Sequence, residues 1–442
     1  MKLFSFVIVL IIECRVAFCF FFTLILIEKC CDTMKATDSG HNMGDVKKIN
    51  RGLILYLIYK NKGLSRKTLS AKTGLTPAAI TLIIGDMIRE GLLVETDAVH
   101  NGNTLGRKEV ILNINLRAYV AIGIHLERHR AKVRCCDLSD REIFQAEILN
   151  REREKSFSCF LEAVAAEISG LLEEHRIKAK YCLIGAGVAL PVNEYEKGRG
   201  EKDPEYGKKK FLVQEILSQR LGIDVWPDSL ACTMVSADIF LSQDPIGQNI
   251  LFVKYGPEVD ASYLSLAHYP QQYRSVPISL NHTLVDPQGK ECGCGGKGCL
   301  HTVAGFQELA EEIRGIYSEE KTPKLFKLTR GDKNQVVGSR VAEFYQCADP
   351  AVRAVIEKGA FYLAMVLKNC LNMLHLSSVV VYGELFFDSQ YWNYFCGLLD
   401  TLHCRGQVRL SHFRRDIETE GPAFSMVGRF FANGGLLDGK RK

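Results

Sequence analysis

The sequence lacks the cysteine spacing of a small secreted domain, although it contains 16 cysteines among 442 residues. The cysteines are scattered, and some are direct neighbours, as at Cys30-Cys31 and Cys135-Cys136. Disulfide scaffolds are short chains with regularly spaced partners, and they form in oxidising compartments. The pattern therefore argues against a disulfide-stapled extracellular module. It predicts a cytoplasmic protein in which clustered cysteines are metal ligands.

The sequence also lacks an uninterrupted membrane span. Residues 4–27 are rich in Phe, Ile, Leu and Val, but Glu13 and Arg15 lie in the middle of this run. A charge at the centre of a bilayer costs about 2.5 to 3.5 kcal/mol, and no small-residue cleavage site follows the run. We predict that residues 1–44 are a leader outside the fold, translated upstream of the true start, and that the protein uses no membrane. A membrane-anchored protein is the alternative.

Net charge is low, at +5 from 56 Lys and Arg against 51 Asp and Glu. The segment Asp45–Val110 alone contains eleven basic and six acidic residues, which leaves the remainder of the chain neutral. A positive excess confined to one small segment is typical of a module that meets a polyanion. The length predicts two to three domains with room for a packed core.

A short glycine-rich segment, Ser279–His301, contains the side chains of a metal site. The candidate ligands are His282, Cys292, Cys294 and Cys299. Three thiolates and one imidazole, all from protein, are typical of a closed tetrahedral zinc site, and glycines permit the positive φ that tight wrapping requires. We predict a structural Zn²⁺ here. A disulfide or free thiols are the alternatives.

Residues 45–113 predict a winged helix-turn-helix. Ser65 is a candidate N-cap for a helix that ends at Gly74, and Thr76-Pro77 starts a second helix with apolar residues at core spacing. Two strands follow at residues 92–94 and 109–113, around a polar loop at 100–108. In this arrangement the second helix enters the major groove by its N-terminal end, and the strands and loop form the wing.

Such a module predicts contact with double-stranded DNA. Basic side chains would neutralise phosphates, which supplies most of the sequence-independent affinity. Small side chains at the start of the second helix would contact base edges, where they read little beyond a thymine methyl. The predicted DNA-contacting residues are Arg66, Lys67, Thr76, Ala78, Ala79, Thr81, Arg107 and Lys108. A protein-interaction module is the alternative.

The remainder, residues 114–442, predicts a mixed α/β body. From Tyr119, strand hairpins lead into a helix and then another buried strand, and a second such set starts at Asn249. This order favours two α/β lobes. Periodicity alone specifies no more than that.

Two stretches resemble a known family. The string Cys292-Gly-Cys-Gly-Gly-Lys-Gly-Cys299, with a histidine ten residues upstream, resembles the zinc signature of the ROK family of sugar kinases and transcriptional repressors. Residues 65–93 resemble the DNA-binding domain of the repressor branch, and GNTLGRKEV at 102–110 is similar to its wing. For residues 114–442, with the zinc loop at 279–301, the resemblance implies a two-lobed, actin-like (ribonuclease-H-type) fold.

The chain departs from the family pattern where the kinases hold ATP. Their first phosphate turn, Asp-x-Gly-Gly-Thr, corresponds to His125–His129, which contains no glycine. Their Gly-x-Gly-x-Gly turn corresponds to Gly256–Asp260, and their double glycine to Gly383-Glu384. Because backbone N–H groups in such turns bind phosphates, we predict no ATP use and no enzymatic activity. A sugar kinase is the alternative.

The sugar side of the family's cleft is preserved in part. The catalytic aspartate corresponds to Asp228, which could equally be the N-cap of the next helix. Of the family's Glu-x-Gly-His only His282 remains, since Ser279 replaces the glutamate, and His301 replaces a second glutamate. We predict an effector cleft with these four residues that binds ordinary hexoses poorly. A further turn matches Gly185, Gly187 and Pro191, which line the cleft or are architectural.

The sequence as a whole predicts a DNA-binding transcriptional regulator of the ROK type, a repressor of carbohydrate-related genes. A homodimer, or a dimer of dimers, would read a pseudo-palindromic site, because one recognition helix makes few base contacts. A carbohydrate or protein effector would act by favouring one arrangement of the two lobes.

Overall fold

The computed structural model describes most of the chain after the leader. The described residues are 43–97, 109–127, 129–150, 156–190, 204–242, 249–257, 259–266, 269–270, 273, 275–347, 349–413 and 417–437. Residues 1–42 of the predicted leader, the predicted wing loop with Arg107 and Lys108, and Pro191 lie outside them, whereas Met43 and Gly44 begin the first described helix. Within the described ranges, no helix combines the length and the apolar character needed to cross a bilayer.

Three helices and three short strands make up the N-terminal part. They are α1 (Met43–Lys60), β1 (Leu64–Ser65), α2 (Arg66–Thr73), α3 (Pro77–Arg89), β2 (Leu93–Asp97) and β3 (Val110–Ile114). The strands pair antiparallel in the order β1-β3-β2. We refer to residues 48–114 as the N-terminal segment.

Local capping sets the turn between α2 and α3. The Ser65 hydroxyl accepts the Thr68 N–H, and the α2 end is closed by Gly74 in the left-handed conformation with φ 72°. The Thr76 hydroxyl accepts the Ala79 N–H at the start of α3. These caps are the ones that the sequence predicts, because each depends on residues only a few positions apart.

The first lobe is a five-stranded sheet with four helices. Its strands are β4 (Tyr119–Leu126), β5 (Arg130–Asp137), β6 (Glu142–Leu149), β7 (Cys182–Leu190) and β8 (Val225–Ser229). Its helices are α4 (Phe157–Glu174), α5 (Ile177–Lys180), α6 (Pro204–Leu221) and α7 (Leu230–Leu241). The sheet order is β6-β5-β4-β7-β8, with an antiparallel β4–β5–β6 meander and parallel β4–β7 and β7–β8 pairs.

The second lobe repeats this sheet. Its strands are β9 (Asn249–Tyr255), β10 (Val259–Ser265), β11 (Ser275–Ile278), β12 (Ser378–Tyr382) and β13 (Val408–Leu410). Its helices are α8 (Leu300–Ala304), α9 (Phe306–Ile316), α10 (Pro323–Leu328), α11 (Val341–Gln346), α12 (Pro350–Met373), α13 (Glu384–Phe387) and α14 (Ser389–Thr401). The last helix, α15 (Ile417–Ala432), returns to the sheet of the first lobe. The order β11-β10-β9-β12-β13 has the same sequence of antiparallel and parallel pairs as the first lobe.

Helix α7 is buried on all sides, with every residue from Leu230 to Phe240 buried. Helix α15 packs against it at Gly421, where an added Cβ would lie 2.9 Å from the Met234 backbone nitrogen. A helix that is buried all round belongs to the centre of a protein, not to its surface. The two lobes therefore share α7 as a common core element.

Helix α15 lies directly on β4 and β7 because glycines face it. A Cβ on Gly123 would lie 2.1 Å from the Thr419 carbonyl oxygen, and one on Gly187 would lie 1.8 Å from that of Pro422. Real Cβ atoms do not approach so closely, so neither position accepts a side chain unless α15 moves. This packing supports an architectural role for Gly187 rather than a role in lining the cleft.

The N-terminal segment is packed against the body through α1. Gly52 lets α1 approach the Phe431 carbonyl, and the Tyr59 ring lies 5.5 Å from that of Phe431 and 5.8 Å from that of Phe240. The buried guanidinium of Arg51 donates to the Gly434 carbonyl at 2.7 Å. The segment is thus part of a continuous core with α7 and α15.

The Arg51 guanidinium also forms a two-pronged ion pair with Glu90, at the C-terminal end of α3. Bidentate pairs of this kind fix geometry as well as charge. One side chain therefore connects α1, the end of α3 and the C-terminal residues of the body.

Substitution of Gly187 by alanine tests the packing of α15. We expect the Gly187→Ala chain to lose about 3 kcal/mol or more of unfolding free energy, because α15 must move away from β7. Gly170→Ala is the matched control, since Gly170 is exposed on α4 with nothing within 4 Å of an added Cβ, and alanine there should be neutral or stabilising by about 0.5 to 1 kcal/mol. Urea unfolding of both variants measures the difference, and equal midpoints would contradict this packing.

Candidate functional site

The four predicted metal ligands lie together. One ligand atom from each of His282, Cys292, Cys294 and Cys299 falls within 4.8 Å of the others. The His282 Nδ1 is 3.5 Å from the Cys292 sulfur, and the Cys294 and Cys299 sulfurs are 3.6 Å apart. Tetrahedral zinc with bonds of about 2.3 Å to sulfur places two sulfurs about 3.8 Å apart. The cluster therefore has the size and donor set of a metal site.

Backbone hydrogen bonds shape the loop around this cluster. The N–H groups of Val285 and Asp286 both donate to the Gly298 carbonyl, and the Cys292 N–H donates to that of Gly296. Gly298 has φ +61°, and an added Cβ would lie 1.4 Å from the Asp286 carbonyl oxygen. A side chain cannot be placed at this position, so the glycine is needed for the loop to present its cysteines.

Asp228 is at the C-terminal end of β8, at the entry to α7. Its Oδ1 is 3.6 Å from the Lys210 Nζ and accepts the Ser229 N–H at 2.9 Å. The N-cap of α7 is Ser229, whose hydroxyl accepts the Cys232 N–H. Asp228 is therefore an ion-pair partner of α6 and not the helix cap.

A second carboxylate, Asp260 from β10, reaches the same helix end. Its Oδ2 accepts the Ala231 N–H at 3.1 Å, and the side chain is buried. Burial raises the pKa of Asp260 to about 6, and this effect outweighs the opposing effects of Lys254 and of two backbone N–H groups. The N-terminus of α7 is thus the place where side chains of both lobes meet.

The loop at residues 279–301 contains three of the four residues predicted for the effector cleft. Ser279 is exposed just after β11, and His282 belongs to the metal cluster. His301, in α8, donates its backbone N–H to the Asn281 carbonyl at 2.9 Å. This hydrogen bond joins the two ends of the loop. The fourth predicted residue, Asp228, is on β8 of the first lobe.

The residues that correspond to the first phosphate turn of the kinases belong to a compact cluster of titratable side chains. The His125 Nδ1 is buried and lies 3.9 Å from Glu127 and 3.7 Å from Glu418. The Lys132 ammonium is 3.9 Å from both carboxylates. Burial lowers the pKa of His125 and outweighs the raising effect of the two glutamates.

The position that corresponds to the double glycine of the kinases has one glycine, Gly383, and packing explains why. Gly383 has φ +152°, and an added Cβ would lie 1.9 Å from the Tyr255 carbonyl oxygen. Glu384 then begins α13. The single glycine is therefore explained by the contact between β12 and β9.

An aromatic ring beside Asp228 was not foreseen from the sequence. The Arg429 guanidinium lies 3.2 Å from the centroid of the Trp226 ring, and the Lys210 ammonium lies 5.5 Å from it. Such cation–π contacts join α15 and α6 to β8. Only the fold brings these three residues together, since they are far apart in the sequence.

The predicted DNA-contacting residues differ in their exposure and in whether their polar groups are already bonded within the protein. Lys67 is exposed on α2, whereas Arg66 is paired with Glu95 at 2.6 Å. The Thr76 hydroxyl is used as the α3 cap. On α3 itself, Ala78 and Thr81 are exposed and Ala79 is half-buried. Leu82, which is 66% exposed on the same helix, was missed. Its position outside the buried 80, 83, 84, 87 spacing was the signal that could have identified it.

The duplicated sheets define the class of fold. Two α/β lobes with the same strand order, joined through a shared buried helix, form the actin-like, kinase-type architecture. A crystal structure of a ROK family transcriptional regulator, a homologue of the Escherichia coli Mlc protein, has this fold with a TM-score of 0.64. It is 20% identical and covers 88% of this chain and 97% of its own.

Residues 277–402 match the model of the ROK family. The DNA-binding transcriptional repressor Mlc of E. coli K12 is 27% identical over 282 residues, which are 63% of this chain and 68% of Mlc. The DNA-binding transcriptional dual regulator NagC of the same strain is 22% identical over 353 residues, or 78% of this chain and 82% of NagC.

The Asp260 carboxyl provides a test of the α7 contact through pH. Because its pKa is raised in the folded chain, its contribution to stability is present below about 3.8 and is lost as pH rises through about 6. Relative to Asp260→Asn, which can still accept the Ala231 N–H, the wild type should lose roughly 2 to 3 kcal/mol between pH 4 and pH 7. Urea unfolding at several pH values measures this difference. Asp400→Asn, an exposed control, should follow the wild type; a parallel course for Asp260→Asn would refute the assignment.

Proposed function

We propose that this protein is a DNA-binding transcriptional regulator of the ROK type, a repressor of carbohydrate-related genes. In this proposal residues 45–113 are a winged helix-turn-helix and residues 114–442 are a two-lobed effector domain. The proposal is supported by the similarity of this chain to Mlc and NagC, whose names describe them as DNA-binding transcriptional regulators. The observation that carries it is the capped turn at Gly74, which exposes the N-terminal end of α3 on a basic segment.

The proposed DNA contacts divide into phosphate and base contacts. Lys67 and the wing residues Arg107 and Lys108 bind phosphates, and Arg66 joins them when it leaves Glu95. Thr76 positions α3 as its cap, and its backbone is near the DNA. Ala78, Ala79 and Thr81 lie at the end of α3 that enters the major groove.

A homodimer, or a dimer of dimers, binds two half-sites. One α3 offers few base contacts, and a second copy about 34 Å away along the duplex doubles them. Because the N-terminal segment is packed on the body, the body sets the distance between the two recognition helices.

Helix α7 connects the proposed cleft to the DNA-binding segment. Its first turn meets Asp228 and Asp260, and its last carbonyls, of Ile239 and Ser242, accept hydrogen bonds from the Lys60 ammonium at 2.8 and 2.6 Å. A carbohydrate or protein effector that favours one lobe arrangement would therefore also shift the position of α1. Asp228, Ser279, His282 and His301 are the residues that we assign to the effector cleft.

A catalytic role is not part of this proposal. The positions that correspond to phosphate turns hold Glu127, Asp260 and buried His125, and carboxylates repel phosphate. A ROK-type sugar kinase is the alternative function, and the chain would then transfer phosphate from ATP to a carbohydrate.

Selection of bound fragments from random DNA, with the full-length chain, tests the regulator. We expect one preferred duplex at about 150 mM salt, and Lys67→Ala should weaken all duplexes alike and lower the slope of log affinity against log salt by about 1. Lys178→Ala, an exposed lysine of α5, is the matched control and should leave the slope unchanged. No preference over random DNA, or ATP-dependent phosphorylation of a hexose panel, would contradict the regulator.

We assign the metal as structural Zn²⁺, because three thiolates and one imidazole leave no open position for a substrate. The ion would hold the loop that carries Ser279 and His301. Purified protein should contain one zinc per chain by elemental analysis, and Cys299→Ser should lose it. Cys159→Ser, at an exposed cysteine on α4, should keep it. A wild-type chain free of zinc, or with Cys294 and Cys299 disulfide-bonded, would exclude this site.

A further inference from the structure

The outward face of α3 is apolar. Ala78, Thr81 and Leu82 are all exposed, and Leu82 is exposed to 66%. Residues three and four apart share a helix face, so these three side chains form one surface. A leucine this exposed, on a helix whose other large apolar residues are buried or, at Ile88, partly buried, needs an explanation in terms of what it contacts.

The polar groups of α3 are already bonded within the segment. The Thr81 hydroxyl donates to the Pro77 carbonyl at 2.8 Å, and the Thr76 hydroxyl accepts the Ala79 N–H. The remaining polar side chains of α3, Asp86 and Arg89, pair with each other. Because its O–H is donated to Pro77, Thr81 has only acceptor capacity left on its oxygen, and it presents its methyl group beside those of Ala78 and Leu82.

Only one base group in the major groove matches such a surface. Each base edge offers hydrogen-bond donors and acceptors, and thymine alone adds an apolar C5-methyl group. A thymine methyl would be shielded from water by the methyl groups of this face, and Leu82, the largest of the three side chains, has no hydrogen-bonding group to offer to any base. The surrounding charge fits the same partner, because the segment from Asp45 to Val110 holds the basic excess of the chain.

We infer that Leu82 is a specificity-determining residue that contacts thymine methyl groups, with Ala78 and the Thr81 methyl beside it. The preferred half-site contains thymine at the one or two positions that face Leu82. This inference rests on the proposed DNA-binding function and names the bases that this helix selects.

Deoxyuridine provides the direct test, because it lacks the methyl group of thymidine and keeps the same hydrogen-bonding pattern. The full-length chain is first used to select a duplex, and each thymine of the selected site is then replaced by deoxyuridine in turn. We expect the wild-type chain to bind about fourfold more weakly at one or two positions per half-site, which is the effect of one lost methyl contact.

The Leu82→Ala variant separates this contact from others. It should bind the thymine site more weakly than the wild type and show no further loss on deoxyuridine at the same positions, so that the two changes are not additive. Leu149→Ala removes a leucine that is 57% exposed on β6, and it should retain the full deoxyuridine effect. Because Leu82 is on the surface, the variant should unfold at the same urea concentration as the wild type.

Three results would overturn the inference, and they differ in what else they affect. A specific duplex whose deoxyuridine effect is equal in the wild type and in Leu82→Ala removes Leu82 from base reading and leaves the regulator intact. A change of oligomeric state in Leu82→Ala without any deoxyuridine effect identifies α3 as a protein contact. The absence of any preferred duplex removes both the inference and the proposed function.

Discussion

The rest of the structure depends on one helix whose two ends are closed by side chains from elsewhere in the chain. Every α-helix leaves its first N–H groups and last carbonyls without partners, and a fully buried helix cannot leave them to water. In α7 the first turn is capped by Ser229 and Asp260, and the last carbonyls accept the Lys60 ammonium. Asp260 belongs to the second lobe and Lys60 to the N-terminal segment. The requirement to satisfy the ends of α7 therefore connects three parts of the molecule.

The same requirement explains how the carboxylates at the α7 N-terminus are arranged. Asp228 is near Lys210, and Asp260 is bonded to the helix backbone, so the carboxylates here already have protein partners. Near the start of β5 the Lys132 ammonium likewise lies 3.9 Å from the Glu127 and Glu418 carboxylates. The carboxylates of both regions therefore already lie beside protein groups of opposite charge or are bonded to backbone N–H groups.

How much of this could be predicted depended on whether the signal was local. The caps at Ser65 and Thr76, the left-handed Gly74 and the metal ligands all lie close in sequence to the groups they serve, and the structure agrees with them. For helix α7 the sequence indicated only its start near Ser229, because a helix that is buried all round has no polar face and therefore no period that would reveal its central position. The role of Asp228 was misjudged in one respect, since the cap is the neighbouring Ser229. Gly187 could not be explained until Pro422, 235 positions later, was seen above it.

By itself the sequence determined the capped turn between α2 and α3, the basic character of the N-terminal segment and the four-residue metal cluster, because each arises from residue types at short spacing. Tertiary structure decided which side chains are bonded within the protein and which stay exposed to a partner. It paired Arg66 with Glu95, used the Thr81 hydroxyl within its own helix and left Leu82 exposed. It also placed Asp260 and Lys60 at opposite ends of α7. These outcomes depend on contacts between residues far apart in the chain, and no local pattern specifies which distant partner a charged or apolar group will meet.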